Sequence, residues 1–336
     1  MSSSKGAYKE EYVPGVGRLP HVLLLIPPTA LGLLAGFAAD RLLGDPQRRH
    51  PVAGFGTVAA HLERQLYADS RIRGVAHAGV LVGGAVALGM AAERATARSP
   101  LARAAATALA TWTVLGGRSL EREADAVHAH LAQGDLAAAR QRLTHLVGRD
   151  TSSLDEGQVA RAVIESVAEN TSDAVVAPLV WGAVAGMPGL LGYRAANTLD
   201  AMVGHHNDRY ERFGWASARF DDLVNLPGSR PTGALAIVFG GQPREAARAW
   251  RRDAARHPSP NAGVVESTFA GSLGVRLGGT NTYYGDRVEH RAVMGDGRRP
   301  GPADIPRATR LAARIGVGAA LTAAAAAATL FRRRPA

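Results

Sequence analysis

Side chains that bind cations and phosphates are concentrated in one stretch of the sequence, between positions 165 and 225. Long runs of Ala, Gly, Leu and Val flank this stretch. An acidic segment between apolar ones is typical of a polar site carried by buried or membrane-embedded helices. Its carboxylates and amides are Glu165, Glu169, Asn170, Asp173, Asn197, Asp200, Asn207, Asp208, Asp221, Asp222 and Asn225.

The first carboxylates form a row on a helix predicted over 154–173. The row consists of Arg161, Glu165, Glu169 and Asp173, each four residues after the last. Residues four apart share a helical face, so the arginine attracts the first glutamate, and neighbouring carboxylates repel by roughly 0.2–0.5 kcal/mol per pair. A divalent cation would remove that repulsion, and Mg²⁺ that also carries substrate phosphates takes one or two carboxylates. The alternative is an ordinary solvated charged face.

The pattern Asn-Thr-x-Asp occurs twice, at 170–173 and 197–200. Each copy places an amide and a carboxylate three residues apart on one helical face. Two further clusters follow, Asn-Asp-Arg at 207–209 and Asp-Asp-x-x-Asn at 221–225. Together they indicate a metal–phosphate site. His205 and His206 are adjacent, so their side chains diverge, which favours a loop or core role over joint metal binding.

A second polar block lies at 257–286, HPSPNAGVVESTFAGSLGVRLGGTNTYYGD. Two prolines, Pro258 and Pro260, stiffen a loop that presents Asn261. Gly278, Gly279 and the two residues that follow offer backbone N–H groups and a hydroxyl that suit an anion, although such turns are also common without one.

Composition excludes several classes of protein. The 336 residues contain no cysteine, which rules out disulfides and thiolate chemistry. Lysine occurs only at Lys5 and Lys9, so a Walker-type phosphate loop or a Schiff-base lysine is not available in the body of the chain. The net charge of +10 suits anionic substrates or an anionic membrane face. Thirty-nine glycines and the lack of basic–aromatic interleaving argue against nucleic acid.

Apolar runs predict membrane-spanning helices around these polar blocks. The candidate spans are 22–39, 74–92, 104–117 and 311–331. Segment 174–191, broken by prolines and glycines, either spans or forms a re-entrant hairpin, and 232–241 is too short to span alone. Segment 118–173 is charged and predicts water-exposed helices. Gly134 and Asp135 predict a turn within it, and Ser153 with Glu156 predicts a capping box.

The expected fold class is therefore all-α, a polytopic membrane helical bundle with cytosolic helical segments and re-entrant hairpins as an option. Residues 1–20 are expected to be a disordered tail. Residues 21–331 are expected to form a single membrane-embedded catalytic domain. It would contain a soluble helical insert at about 118–173 and polar site blocks at about 193–230 and 242–310.

These motifs resemble a known family. GDP…HPV, E-x-x-x-E-N-T-x-D, YRAxNTLDxMVGxxNxRYxxFGWxxARxDDxxNxxP and PSPNAG…FAGxLGVxLGG…Y follow the order of the CobD/CbiB family of cobalamin biosynthesis. The resemblance covers about residues 30–310 and is weakest at 1–20 and 264–268. It is not to the pyridoxal phosphate decarboxylase that shares the name CobD, because that enzyme needs a Schiff-base lysine.

The resemblance implies a multi-pass protein of the cell membrane whose active site faces the cytoplasm, an adenosylcobinamide-phosphate synthase. Such an enzyme joins the carboxylate of adenosylcobyric acid to (R)-1-aminopropan-2-ol O-phosphate, or an ethanolamine analogue, with ATP and Mg²⁺. The implied partners are the corrinoid, the aminoalcohol phosphate, the bilayer and other enzymes of the pathway, with no nucleic acid. Two alternatives remain open, a Mg²⁺-dependent membrane prenyltransferase and a non-catalytic corrinoid-binding membrane subunit.

Residue chemistry then suggests roles within this reaction. Carboxylates would hold Mg²⁺, arginines and amides would bind phosphates, and an aspartate would take the proton of the attacking ammonium. The candidate metal ligands are Glu165, Glu169 and Asp173, or Asp221 and Asp222. The candidate phosphate and substrate ligands are Arg194, Asn197, Asn207, Arg209, Arg219, Asn261 and Asn281, and the candidate bases are Asp200 and Asp208.

Overall fold

Helix-forming residues dominate the sequence, and the structure is helical almost throughout. It is a computed structural model that describes residues 26–45, 50–205, 207–283 and 287–332, without the side chains of 280–283, 287–290 and 332. The first six helices in this part of the chain are α1 Pro28–Leu43, α2 Pro51–Leu66, α3 Arg71–Ala95, α4 Pro100–Val114, α5 Gly117–Ala132 and α6 Leu136–Leu143. The remaining six are α7 Glu156–Thr171, α8 Ala177–Val203, α9 Trp215–Phe239, α10 Pro243–Asp253, α11 Ala262–Leu273 and α12 Ile305–Arg332. The expected tail at 1–20 lies outside the described residues.

Helix boundaries follow local signals in the sequence. Proline stands at the start of several helices, where its missing N–H costs nothing. The turn predicted at Gly134 is confirmed, since this glycine has a φ of 75° between α5 and α6. The capping box predicted at Ser153 is wrong by two residues. Asp155 is the N-cap of α7 and exchanges hydrogen bonds of 2.8 Å with Gln158, because its carboxylate is as good an acceptor as a hydroxyl.

One strand pair interrupts the helices, and the sequence patterns did not indicate it. β1 Leu277–Tyr283 pairs antiparallel with β2 Arg287–Met294. Gly278 and Gly279 have φ values of 79° and 94°, next to an irregularity in the register. The glycines therefore serve a β-bulge at the start of this hairpin, where a left-handed backbone is required.

Helix α7 lies at the centre of the apolar core. Val159, Val163 and Val167, predicted for its apolar side, are fully buried. They pack in one cluster with side chains of α1, α5, α8, α11 and α12. Close helix approach depends on glycine at the α1–α4 contact, where a Cβ on Gly32 or Gly36 would lie about 2.5 Å from a threonine of α4.

Three helical stretches are long and apolar enough to cross a membrane, by length and composition. They are Arg71–Ala95, Glu156–Val203 and Pro302–Phe331. They contain the predicted segments 74–92, 174–191 and 311–331. Large apolar side chains of α3 such as Ile72, Val80 and Leu88 are exposed, which suits contact with lipid. These features are typical of a membrane-associated protein.

The other two predicted spans are shorter than expected. Over 22–39 and 104–117 the described residues form α1 and α4, helices of 16 and 15 residues. A span needs about 20 residues at 1.5 Å rise. Proline and glycine limit these helices, since α1 begins at Pro28 and is capped after Leu43 by Gly44, and α4 begins at Pro100.

The stretch Glu156–Val203 is one helical run with two irregular points. Between α7 and α8 the helix widens into a π-type turn over Ser172–Val176. Within α8 the backbone leaves helical geometry at Gly186, with φ 64° and ψ −145°, two residues before Pro188. Such breaks are expected near proline and at π-type turns, and the latter frequently mark functional sites.

Candidate active site

A cavity of about 990 Å³ opens where the polar blocks of the sequence meet. The end of α7, the π-type turn, the end of α8 and the start of α9 form one side. The loop over 257–261, the start of α11 and Arg291 of β2 close the other. The acidic residues that line it are Glu169, Asp173, Asp200, Glu211, Asp221 and Asp222. The fold therefore brings together carboxylates from both sides of segment 174–191.

The two Asn-Thr-x-Asp copies are built alike. In each, the threonine hydroxyl donates to the carbonyl four residues before it: Thr171 to Val167 at 2.6 Å and Thr198 to Arg194 at 2.7 Å. In each, the aspartate reaches the cavity. Each threonine hydroxyl is hydrogen-bonded within its own helix. The two carboxylates are therefore the groups that these motifs contribute to the site.

An amide from α9 fixes the first of these aspartates. Asn225 donates from Nδ2 to Oδ1 of Asp173 at 2.5 Å, and its Oδ1 accepts from Ser172 Oγ at 3.1 Å. Asn225 is itself buried. The orientation of Asp173 is thus set by a neighbour that has no rotational freedom left.

Burial and neighbouring charges act together on the pKa of Asp221, which lines the cavity. It is 7% exposed, and its Oδ1 lies 3.5 Å from Asn197 Nδ2. Burial, and then the charges of Asp173 and Asp200, raise its pKa to about 8. A group of three carboxylates, one buried and two half-buried, with amide neighbours has the hard oxygen ligands that Mg²⁺ prefers.

Glu165 occupies a different environment, although it stands in the same row. Its Oε2 accepts from Arg149 Nη2 at 3.0 Å, and its Oε1 accepts from the Gly278 N–H at 2.8 Å. The predicted attraction to Arg161 is confirmed at 3.8 Å. The glycine N–H that the sequence suggested for an anion therefore binds a carboxylate of this chain, and Glu165 does not line the cavity.

Asp222 and Arg219 lie together on the cavity wall. Arg219 Nη1 is 3.7 Å from Asp222 Oδ2, and the arginine side chain is 69% exposed. The carbonyl of Asp222 accepts from Asn261 Nδ2 at 2.8 Å, while Asn261 Oδ1 accepts from Ser229 and Arg230. Asn261 thus lines the cavity and also fastens the 257–261 loop to α9.

The remaining predicted ligands divide between the cavity and its surroundings. Asn207 lines the cavity and accepts from Tyr210 N at 3.0 Å. Arg209 pairs with Glu63 at 3.0 Å and stacks over Tyr67. Besides Glu165, four of the predicted site residues that the structure describes do not line the cavity, namely Arg194, Asn197, Asp208 and Arg209. The side chain of Asn281, like His206, lies outside the described residues.

Three residues near the cavity were not predicted from the sequence, namely His257, Glu266 and Arg291. The first and the last line it, and Glu266 of α11 is fully buried beside them. Burial and then nearby carboxylates raise the pKa of Glu266 well above its usual range, while burial and then Arg291 lower the pKa of His257. The available signal was a glutamate inside the apolar sequence of α11, directly after the PSPNAG motif.

Fold and site together define a class: a predominantly helical, membrane-associated protein with a partly buried cluster of carboxylates that suits a divalent cation. The CobD/Cbib protein family model matches residues 33–312. The chain therefore belongs to the CobD/CbiB family, as the motifs indicated.

Curated relatives agree with this assignment. The Cobalamin biosynthesis protein CobD of Mycobacterium tuberculosis is 51% identical over 311 residues, which cover 91% of this chain and 97% of the relative. Proteins of the same name from Chromobacterium violaceum and Geobacter metallireducens are 45% and 44% identical, over 89% and 82% of this chain and 97% and 90% of their own. No solved structure matches the chain.

Proposed function

We propose that this chain is an acid–amine ligase of cobalamin biosynthesis, an adenosylcobinamide-phosphate synthase. It would join adenosylcobyric acid to (R)-1-aminopropan-2-ol O-phosphate with hydrolysis of ATP. The observation that carries the proposal is the cavity in which carboxylates of both Asn-Thr-x-Asp motifs meet those of α9, in a chain that matches this family over 33–312.

Such a ligation needs activation of the acid. A free carboxylate does not accept an amine at useful rates, because oxide would have to leave. Attack of the corrinoid carboxylate on the γ-phosphorus of ATP releases ADP and gives an acyl phosphate. The amine nitrogen then attacks the carbonyl carbon, phosphate leaves, and one proton of the ammonium goes to a base. An acyl adenylate, with release of AMP, is the alternative route.

Asp173 and Asp221 are the residues that fit Mg²⁺ in this site. Asp221 is buried and Asp173 is half-buried, the charge of Asp173 acts on Asp221, and Asn225 holds Asp173 in place. Mg²⁺ is usually bound through one or two carboxylates together with substrate phosphates, whose charge it neutralises. Asp222, Glu169 and, from the sequence, Glu165 remain the alternative ligands.

The other cavity residues supply binding and proton transfer. Arg219, Asn207 and Asn261 would bind phosphate oxygens, since a guanidinium and amides donate to them directly. Asp200 lines the cavity and is the candidate base for the ammonium, whereas Asp208 is exposed and outside it. Because ATP is cytoplasmic, the cavity would open to the cytoplasmic side of the cell membrane.

The test is a reconstitution with purified protein in detergent. Adenosylcobyric acid, aminopropanol phosphate, ATP and Mg²⁺ are supplied, and corrinoid product, ADP and AMP are measured. We expect cobinamide phosphate and ADP in equal amounts. Corrinoid binding without ATP consumption would support the non-catalytic subunit instead, and turnover of an isoprenyl diphosphate would support a prenyltransferase. AMP in place of ADP would reject the acyl phosphate route.

A further inference from the structure

A second group of potential metal ligands lies at the edge of the same cavity. It consists of Glu169 in the last turn of α7, His257 in the 257–261 loop and Glu266 in α11. One ligand atom from each lies within 4.8 Å of the others. Glu169 is far in sequence from the other two, so tertiary packing of α7 against the loop and α11 brings the three together.

The buried polar atoms of this group lack partners. Glu266 is fully buried. Among the residues that the structure describes, no donor reaches either oxygen of the ionised Glu266 carboxylate, and Nε2 of His257 has no hydrogen-bond partner. The carboxyl groups of Glu266 and Glu169 are close enough to share a hydrogen bond when one of them is protonated. His257 Nε2 lies 3.5 Å from Glu266 Oε1, and Arg291 Nη1 lies 3.9 Å from the same oxygen. Both separations exceed a hydrogen bond, and buried polar atoms without partners call for a ligand or a proton.

Backbone groups of Ser259 hold the ring of His257 in place. Its Nδ1 accepts from the Ser259 N–H at 3.0 Å and lies 3.2 Å from the carbonyl oxygen of the same residue. Nε2 is thus the ring nitrogen directed at Glu266, 3.5 Å from its Oε1. A cation bound at Nε2 would move the ring proton to Nδ1, where the Ser259 carbonyl can accept it, as is common around histidine ligands.

We propose that Glu169, His257 and Glu266 form a binding site for a divalent transition metal, separate from the all-oxygen site at Asp173 and Asp221. Imidazole nitrogen with two carboxylates suits Mn²⁺, Co²⁺ or Zn²⁺ better than Mg²⁺. The cation would neutralise two carboxylates, of which that of Glu266 lies 3.9 Å from Arg291 Nη1. The proposal stands independently of the ligase reaction.

This site would join α7, α11 and the loop between α10 and α11. Glu169 and His257 line the cavity, whereas Glu266 does not. Three protein ligands leave at least one coordination position on the cavity side, where a phosphate or carboxylate oxygen of a bound molecule fits. The cation would therefore hold the PSPNAG loop against the acidic helix and present an open position to the cavity.

The experiment uses Mn²⁺ alone as the probe. Purified full-length protein in detergent is stripped of metal, loaded with excess Mg²⁺ to fill the oxygen site, and titrated with Mn²⁺ without corrinoid or ATP. Bound Mn²⁺ is counted by electron paramagnetic resonance, and pulsed spectra show whether a nitrogen nucleus is coordinated. We expect one bound Mn²⁺ per chain with a nitrogen coupling. Mn²⁺ without that coupling, or no Mn²⁺ bound, overturns the proposal.

Variants assign the coupling to these residues. Glu266→Gln keeps the shape of the side chain, and we expect Mn²⁺ affinity to fall at least about tenfold, because even loss of a partner of a metal ligand typically costs that much. His257→Gln should remove the nitrogen coupling. Asp221→Asn is the matched control and should keep both affinity and coupling. Loss of Mn²⁺ affinity in Asp221→Asn together with unchanged affinity in Glu266→Gln would overturn the proposal. If a variant does not fold, the nitrogen coupling measured on the unmodified protein is the deciding result.

Discussion

Glu165 and Asp221 are two buried carboxylates with similar exposure and opposite surroundings. They are 4% and 7% exposed. Glu165 receives a guanidinium at 3.0 Å and a backbone N–H at 2.8 Å. Asp221 faces two other aspartates, and its nearest amide lies at 3.5 Å. One carboxylate is compensated by the protein itself, whereas the proposed function assigns the other to a bound cation.

The difference shows that burial of a charge does not by itself mark a functional residue. A buried ion pair contributes little to stability compared with apolar packing, but breaking it is costly. A buried acidic cluster without a cation destabilises the fold, so its retention points to a ligand. We therefore expect changes at Glu165 to act on folding and changes at Asp221 to act on turnover.

The largest effect is expected for Asp221→Asn. A bound cation contributes several kcal/mol to stabilising charge in a transition state, and each 1.36 kcal/mol is tenfold in rate, so ATP-dependent turnover should fall on the order of 10³-fold. The melting temperature in detergent should not fall, because the change removes a repelling charge. Turnover is measured at saturating substrates.

Asp69→Asn is the control for this change. Asp69 is 62% exposed and pairs with Arg212 at 3.6 Å, away from the cavity. It should behave as the unmodified protein does. Equal activity of Asp221→Asn and the control would show that Asp221 is not part of the cation site.

The next effect is expected for Glu165→Gln, on stability. The change leaves Arg149 buried without its anion, which typically costs about 3–5 kcal/mol. Thermal or denaturant unfolding in detergent measures it. Glu123→Gln removes a more exposed partner of Arg142, at 2.6 Å, and should cost less than about 1 kcal/mol. A Glu165→Gln protein of normal stability that has lost cation binding would instead make Glu165 a metal ligand.

The smallest effect is expected for Arg219→Ala. A hydrogen bond to a charged group is worth about 1.5 kcal/mol or more, so the KM for a phosphate-bearing substrate should rise roughly tenfold with little change in stability. Arg212→Ala, at an exposed arginine that pairs with Asp69, is the matched control. If Arg209→Ala raised KM and Arg219→Ala did not, the phosphate site would lie beside Arg209 and Glu63 instead.

Local features of the fold could be read from the sequence, and long-range ones could not. Helices, the Gly134 turn and the apolar side of α7 follow from composition and spacing. The two Asn-Thr-x-Asp motifs pointed to aspartates that do share a cavity. The partners of Glu165, however, are Arg149 and the Gly278 N–H, and the second is 113 residues away in sequence. Sequence periodicity cannot reveal so distant a contact. A glutamate whose charge is balanced by such partners therefore could not be distinguished from one that lacks them.

His257 and Glu266 were missed for a related reason. Each is a single ionisable residue in its own segment, and neither forms a pattern with its sequence neighbours. Their relation to Glu169 exists only after α11 packs near α7. The β1–β2 hairpin was missed because its glycines read equally well as a turn that binds an anion.

The wide turn at Ser172–Val176 has a consequence for the rotational phase of the chain. Each residue of an α-helix advances about 100°, and a π-type turn accommodates one residue more than an α-turn does. The side chains of α8 that precede its break at Gly186 are therefore rotated by one residue step relative to α7. Deleting a single residue here would rotate this first part of α8 relative to α7. Segment length, as well as composition, is thus constrained at this point.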